Sequence, residues 1–384
     1  MSIVKPSICF VAATSLTIHF FLTEHMKSLS EDFNVTLICN TKLDSYLPPL
    51  DFKGEIIHAP INREIAIFWD VIALWHLFLL FRKRKYDLVI SVVPKAGLLA
   101  MLAASVASVK LRVHIFQGEV WASKSGLYRF MLKTADRITA SAANYILAVS
   151  HSEREFLEAE NVAPKGRIQV LGNGSISGVD ISKFAANKCS RRKIRESLGF
   201  SSTDVVLLYL GRLAIDKGIL DLTKAFALVA PQNTNLKLLI VGPDEDGLLD
   251  GIDKDLGTQL AERLVRRGFS DEPESYLRAA DVFCLPSHRE GFGTVIIEAA
   301  AAGIPSIGTD IYGIRDAIVD GVTGILFERA AVHSLASKLE FLVNDKAIRC
   351  QLGEAARLRA IAEFEQQLVV SRYVAFFKGI ISSE

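Results

Sequence analysis

The 384-residue sequence predicts an α/β protein of two doubly wound domains that face a cleft and end in helices. Three observations lead there. Apolar runs of strand length alternate with helix-length runs through both halves, the pattern of a parallel sheet covered on both faces. The length suits two cores better than one. A stretch rich in Gly, Ser, Asn and Asp, residues 172–188, separates the halves. The expected domains are 1–185 and 186–365, with 366–384 a last helix that packs back toward the first domain.

In the first domain, Ser7 to Ala13, Val35 to Cys39, Leu88 to Val92, Arg112 to Phe116 and Tyr145 to Val149 read as strands. Phe20 to Ser30, Ile65 to Phe81, Gly97 to Val106 and Ser152 to Glu160 read as the intervening helices. A dinucleotide site would place Gly-x-Gly-x-x-Gly after the first strand. Here Ala12 to Thr17 follows with no glycine, which argues against NAD chemistry and leaves Thr14 and Ser15 as the loop's donors. Ile65 to Phe81 is apolar, but Asp70 and His76 interrupt it and it falls short of the ~20 residues that span a bilayer. It reads as an amphipathic or buried helix. The cations Arg82 to Lys85 then complement the helix dipole, or alternatively meet anionic lipid headgroups.

The second domain repeats the alternation, with strands at Val205–Leu210, Leu236–Val241, Val282–Leu285 and Pro305–Gly308. After Val332 the chain is helical, near 333–343, 347–362 and 366–377.

Half the residues are hydrophobic and 23% are charged, which excludes a disordered chain. A net charge of +1 argues against nucleic acid as a partner. The halves differ: residues 1–185 hold 20 Lys and Arg against 16 Asp and Glu, and the remainder holds 24 against 27. A basic first half points to an anionic acceptor or membrane surface. The five cysteines are scattered without metal-ligand spacing, as in a reduced cytosolic protein. The start, Met1 to Pro6, lacks the order of a signal peptide.

Two clusters carry chemistry. Glu290 and Glu298 lie in Ser287-His-Arg-Glu-Gly-Phe-Gly-Thr-Val-Ile-Ile-Glu298, where two glycines open a turn and Thr294 to Ala302 reads as a helix closed by Gly303 and Pro305. Backbone N–H groups at such a terminus favour phosphate. A neighbouring carboxylate can accept both hydroxyls of a vicinal diol, so the pair suits a nucleotide-sugar. The second cluster, Gly211-Arg212-Leu-Ala-Ile-Asp-Lys217-Gly218, follows a buried strand. It brings two cations to one strand-to-helix turn, where a diphosphate's growing charge needs them.

These motifs resemble the signature pair of the retaining glycosyltransferases of family 4, which have the GT-B fold of two Rossmann-like domains. The flanks Gly268-Phe-Ser-Asp271, Tyr276-Leu-Arg-Ala-Ala-Asp281 and Pro286-Ser-x-Arg-Glu-Gly-Phe resemble the family too. Pro94-Lys-Ala-Gly97, Phe116-Gln-Gly-Glu-Val-Trp121 and Gly172-Asn-Gly-Ser-x2-Gly-Val-Asp180 resemble its subgroup that builds bacterial capsule, O-antigen and lipopolysaccharide glycans. The resemblance implies transfer of a sugar, an N-acetylhexosamine by preference, from a UDP-sugar without an obligatory metal or a permanently bound cofactor. Arg212 and Lys217 would neutralise the departing diphosphate and Glu290 would hold the sugar. Glu298 would bind the ribose, and Gly291, Phe292, Gly293 and Thr294 would offer backbone N–H groups. Gly211 and Gly242 would let the backbone near the donor, and Phe269 sits in the turn that meets the base. Asp244 to Asp246 reads as a solvated acidic loop rather than a metal site.

The implied acceptor is a saccharide on polyprenyl diphosphate, reached from the cytoplasmic face by peripheral contact with an anionic membrane. Its candidate residues are Lys95, Gly97, Gln117, Glu119 and Asn173. Glu119 is expected to project from its loop, and His114 to be a core histidine. Trp121 with Arg129 and Lys133 reads either as a lipid-diphosphate contact or as core. A nucleotide-sugar epimerase and a non-catalytic carbohydrate-binding protein remain as alternatives.

Overall fold

The computed structural model describes residues 5–42, 50–62 and 64–383, so the reading of the N-terminus falls partly outside the described residues. The chain forms two compact units, Met1–Ser177 with Gln367–Glu384, and Gly178–Gln366.

The first unit holds a seven-stranded sheet of β1 (Ser7–Thr14), β2 (Asn34–Asn40), β3 (Gly54–His58), β4 (Leu88–Val92), β5 (Leu111–Phe116), β6 (Tyr145–Ala148) and β7 (Ile168–Gln169). All neighbours are parallel, in the order β3-β2-β1-β4-β5-β6-β7. The chain order reverses at β1, and open sheets of this kind bind ligands outside the carboxyl ends of their strands near that point. β4 is buried along its whole length because helices cover both faces. The edge strands β3 and β7 went unforeseen: β3 is half exposed and β7 has two residues, so neither carries a buried apolar run.

Phe20 to Ser30 is not one helix. Helices Ser15–Phe21 and Thr23–Leu29 meet at Leu22, where the Thr23 hydroxyl donates to the carbonyls of Ile18 and His19 at 3.1 and 3.2 Å. The first of these begins directly after β1, so Thr14 and Ser15 do not form the open loop expected of them. Helix Gly126–Ala142 was also missed, because its amphipathicity is inverted: Asp136, Thr139 and Ala140 face the core while Leu127, Phe130 and Met131 face out.

The second unit holds β8 (Val205–Leu210), β9 (Leu236–Val241), β10 (Leu264–Arg267), β11 (Val282–Leu285), β12 (Ser306–Thr309) and β13 (Gly324–Phe327). They too are all parallel, in the order β10-β9-β8-β11-β12-β13. The switch point lies at β8, whose neighbours are β9 and β11.

The chain passes between the units twice. In the second unit the Val179 N–H donates to the Phe364 carbonyl at 2.8 Å, and the Gln366 N–H donates to the Val179 carbonyl at 3.0 Å. Helix Gln366–Ser382 then closes the first unit, burying Val370, Tyr373 and Phe377. Tyr373 packs edge-on to His25 at 5.2 Å, and Phe377 to Phe10 at 6.3 Å. Among the described residues, no helix is long and apolar enough to cross a membrane.

Candidate active site

In the second unit the loops after β8 and β11 lie side by side because those strands pair directly. The Gly211 N–H donates to Val241 O at 3.0 Å, and the Leu213 N–H to Pro243 O at 2.8 Å, so pairing continues past the strand ends. Gly242 is required where it stands: at φ 145°, any Cβ would collide with the Gly211 carbonyl. Gly218, at φ 66°, lies equally close to the Pro286 carbonyl and lets the β8 loop press on the β11 loop.

Side chains stitch the two loops together. Lys217 Nζ donates to Glu290 Oε1 at 2.7 Å, and the Ser287 hydroxyl reaches the same oxygen at 2.9 Å. Arg289 pairs with Asp216 at 2.8 Å, His288 Nε2 meets Asp221 at 2.8 Å, and the His288 N–H donates to Asp216 O at 2.8 Å. Arg212 pairs with Glu245. Burial opposes charge on Arg212, yet Glu245, Asp216 and Glu290 together hold its pKa above the ordinary guanidinium value. Burial likewise opposes ionisation of Asp216, but Arg289, Lys217 and Arg212 outweigh it and lower its pKa. Burial, then the Glu290 charge, raises the Tyr209 phenol, whose hydroxyl donates to Arg212 O at 2.6 Å. Arg212, Lys217 and Glu290 thus share one electrostatic neighbourhood.

Glu298 answers to other groups. It sits one turn inside helix Thr294–Ala301, which starts from Gly293 at φ 77°. Burial pushes its pKa up to about 7, eased by Lys183 and reinforced by Glu274. Phe292 is buried against Phe364 at 5.2 Å, so it offers its backbone alone. Phe269 is exposed in the turn after β10. Gly291 closes the β11 loop, its carbonyl lying against the Gly313 Cα together with that of Glu290.

Two points depart from the sequence reading. The acidic run after Gly242 is a loop with Glu245 and Asp246 exposed, as expected, but its carboxylates are engaged rather than free. Asp244 accepts from the Leu248 and Leu249 N–H groups at 2.8 and 3.3 Å, Asp246 from Ile215 N–H at 2.8 Å, and Glu245 holds Arg212. Ser287, His288, Arg289, Asp216 and Asp221 were not singled out, although alternating charges in both loops signalled complementary partners.

At the corresponding edge of the first unit the chemistry is quieter. Lys95 pairs with Asp70 at 2.5 Å and donates to the Glu64 carbonyl. Gly97 packs on the His114 ring, where a Cβ would clash. His114 is buried, with Nδ1 2.8 Å from the Ser91 hydroxyl, and burial lowers its pKa to about 3, so the ring stays neutral. Gln117 turns its amide nitrogen inward with no hydrogen-bond partner among the described residues. Glu119 is buried rather than projecting from its loop, and Asn173 is exposed. Trp121 is core: it stacks on Phe156 at 5.3 Å and donates to Asp136 at 2.6 Å. Arg129 and Lys133 lie over its ring but pair with Glu160 at 2.8 and 2.5 Å. An unforeseen residue organises this edge. The buried Glu153 accepts from the Gly118 N–H and, at 2.8 Å, from Val149 N–H, while the Ser150 hydroxyl caps its own N–H at 3.0 Å.

Comparison with known proteins gives this geometry its context. The family model described as "Glycosyl transferases group 1" matches residues 190–359, and that of a "Glycosyl transferase 4-like domain" matches residues 22–174. A capsular polysaccharide biosynthesis glycosyltransferase, CapM of Staphylococcus aureus, is 34% identical over 334 residues, 85% of this chain and 87% of the relative. The chain belongs to this glycosyltransferase family. A second relative is the Escherichia coli UDP-Gal:alpha-D-GlcNAc-diphosphoundecaprenol alpha-1,3-galactosyltransferase, 27% identical over 83% of this chain and 82% of the relative. Anabaena Alr3699/HepE, solved in complex with UDP and glucose, shares the fold with a TM-score of 0.80 at 18% identity, over 97% of this chain and 100% of that one. The glycosyltransferase therefore has the GT-B fold, and its stitched loops lie within the group 1 match.

Proposed function

We propose that this glycosyltransferase moves a hexose or N-acetylhexosamine from a UDP-sugar, with retained anomeric configuration, to a saccharide carried on polyprenyl diphosphate during bacterial surface-polysaccharide synthesis. The observation that carries the reading is the Lys217–Glu290 pair at 2.7 Å with Arg212 in the same field. Before the donor arrives, each cation is balanced by a carboxylate. A diphosphate entering beside them competes for Lys217 and Arg212 and frees Glu290 to accept sugar hydroxyls. Charge placed beforehand where the leaving group develops it is the largest ordinary contribution to such a reaction. No metal is needed in this reading, since two cations meet the diphosphate. Glu298 takes the ribose diol, Gly211, Gly242 and Gly291 to Thr294 supply close backbone, and the turn at Phe269 meets the base.

UDP appears in the name of one relative and in the complex of one structural neighbour, and a lipid diphosphate acceptor in the name of the same relative; these support the donor and acceptor assigned here. Lys95, Gly97, Gln117, Glu119 and Asn173 are assigned to the acceptor edge. Lys95 must leave Asp70 to meet a phosphate, whereas the Gln117 amide is poised for a neutral hydroxyl.

The test is UDP release from a panel of UDP-sugars with and without lipid-linked saccharide, followed by NMR of the product's anomeric proton. Acceptor-dependent release with retained configuration is the expected result. Conversion of the donor with no acceptor present would instead establish an isomerase.

A further inference from the structure

Helices Ile67–Arg84 and Gly126–Ala142 both pack against helix Pro94–Val106, which lies between them on one face of the first sheet. Each connects parallel strands and therefore runs antiparallel to them, so the three are parallel to one another. The outer two present apolar stripes to solvent. On the first, Phe68, Ile72, Trp75 and Leu79 recur at helical spacing, with Phe68 71% and Trp75 61% exposed. On the second, Leu127, Met131 and Ile138 do the same, joined by Phe130, with Leu127 73% and Phe130 61% exposed. The middle helix buries Leu99, Ala100 and Ala103, leaving two apolar ridges on either side of it. Exposed apolar ridges of this length mark an interaction site rather than ordinary soluble surface.

The first stripe ends in charge. Arg82 continues the spacing after Leu79 and lines a cavity of about 680 Å³ with Lys85, Lys110 and Tyr86. Arg82, Lys83 and Lys85 make no ion pair among the described residues, while Arg84 pairs with Glu55 at 2.8 Å. The helix C-terminus brings only about half a negative charge. The cavity lining sets Arg82, Lys85 and Lys110 against one carboxylate, Asp87, so a positive balance remains after the helix end is counted and the mouth attracts anions.

We propose that the first unit lies flat on an anionic bilayer through these two ridges, with a lipid phosphate seated in the cavity at Arg82 and Lys85. The aromatic side chains enter the interface beneath the headgroups, where Trp and Tyr partition well. The cations hold the phosphate layer, each adding severalfold to affinity. This deepens the reading of a lipid-linked acceptor by naming the surface that meets the membrane, and it rests on that reading only for its purpose.

The full chain is sedimented with phosphatidylcholine vesicles and with vesicles that also contain phosphatidylglycerol. Wild type is expected to bind the anionic vesicles, with binding reduced by high salt. Phe68→Ser with Trp75→Ser should abolish binding to both kinds. Arg82→Glu with Lys85→Glu should lower partition onto the anionic vesicles by about tenfold or more while sparing the neutral ones. A UDP-induced rise in Tm, followed in every variant, reports an intact fold. Equal vesicle binding by wild type and both variants overturns the proposal. So does a wild-type dimer that the apolar variant converts to monomer with no change in vesicle binding. Vesicle binding as described with no response to UDP leaves the membrane surface standing and sinks the donor reading instead.

Discussion

The two sheets present their ligand-binding edges in opposite styles. At the edge of the second unit, Arg212, Asp216, Lys217, Glu245, Arg289 and Glu290 form a web of opposed charges across two loops. At the edge of the first, the loop after β5 is buried, His114 is neutral, and a single carboxylate, Glu153, holds Gly118 and Val149 in place. Under the function proposed above, one architecture would serve two ligand chemistries. An anionic leaving group requires mobile counter-charge that is kept paired until needed. A neutral hydroxyl requires a rigid wall and one or two hydrogen-bonding groups.

The largest expected effect separates the two edges directly. Lys217→Ala, or Glu290→Gln, should lower the rate of UDP release by about a hundredfold or more, as loss of one preorganised charge does elsewhere. Tm should fall by a few degrees, because the pair is largely buried, although Glu290 keeps its bond to Ser287 and a glutamine oxygen can still accept from Lys217. If either variant turned over normally, the charged edge would not be the donor site.

Glu153→Ala tests the opposite edge. Two backbone N–H groups would lose their acceptor inside the protein, at a cost on the order of 3 kcal/mol. For a unit of this size that is roughly a 10 °C fall in Tm. UDP binding by the folded fraction should persist. A stable variant with altered acceptor KM would show that Glu153 faces substrate instead.

A smaller change sharpens the contrast. Gln117→Ala removes an amide nitrogen that has no partner among the described residues, so Tm should hold or rise slightly while acceptor KM rises by roughly tenfold. An unchanged KM would remove Gln117 from the acceptor edge.

The smallest effect is one of pH. Glu298 has its pKa raised from 4.5 to about 7 by burial. Below about pH 4.5 it is neutral both folded and unfolded, and its contribution to stability is complete. Between the two values the folded state holds the proton more tightly, so that contribution fades as pH rises and is gone above about pH 7. Glu298→Gln should therefore raise Tm by a few degrees near pH 8 and leave it unchanged near pH 4.5. Equal gains at both would place the effect outside its ionisation.

How much of this was legible in the sequence follows from the same contrast. The inner strands β1, β4, β8 and β11 announce themselves because burial on both faces forces continuous apolar runs. Edge strands such as β10, with Leu264-Val-Arg-Arg267, carry no such run and are set by pairing with β9. The charged groups of the loops after β8 and β11 are visible because spacing and type are both constrained. Glu153 was not: a helix-borne Glu reads as solvated, and only the fold shows it turned inward to two N–H groups. Helix Gly126–Ala142 hid for the reverse reason, since Leu127 and Phe130 read as core while Asp136 and Thr139 occupy it. The Trp121–Asp136 bond explains that choice, with the carboxyl pushed up to about 6 by burial.

The second crossing of the chain has a consequence for how the molecule is made. Tyr373 and Phe377 complete the packing around His25 and Phe10, so the first unit lacks part of its interior until those residues leave the ribosome. Domains ordinarily fold from the N-terminus during synthesis. Residues 178–366, whose unit is complete in itself, are therefore expected to finish first, and the earlier-made portion to complete its interior only once helix Gln366–Ser382 is made.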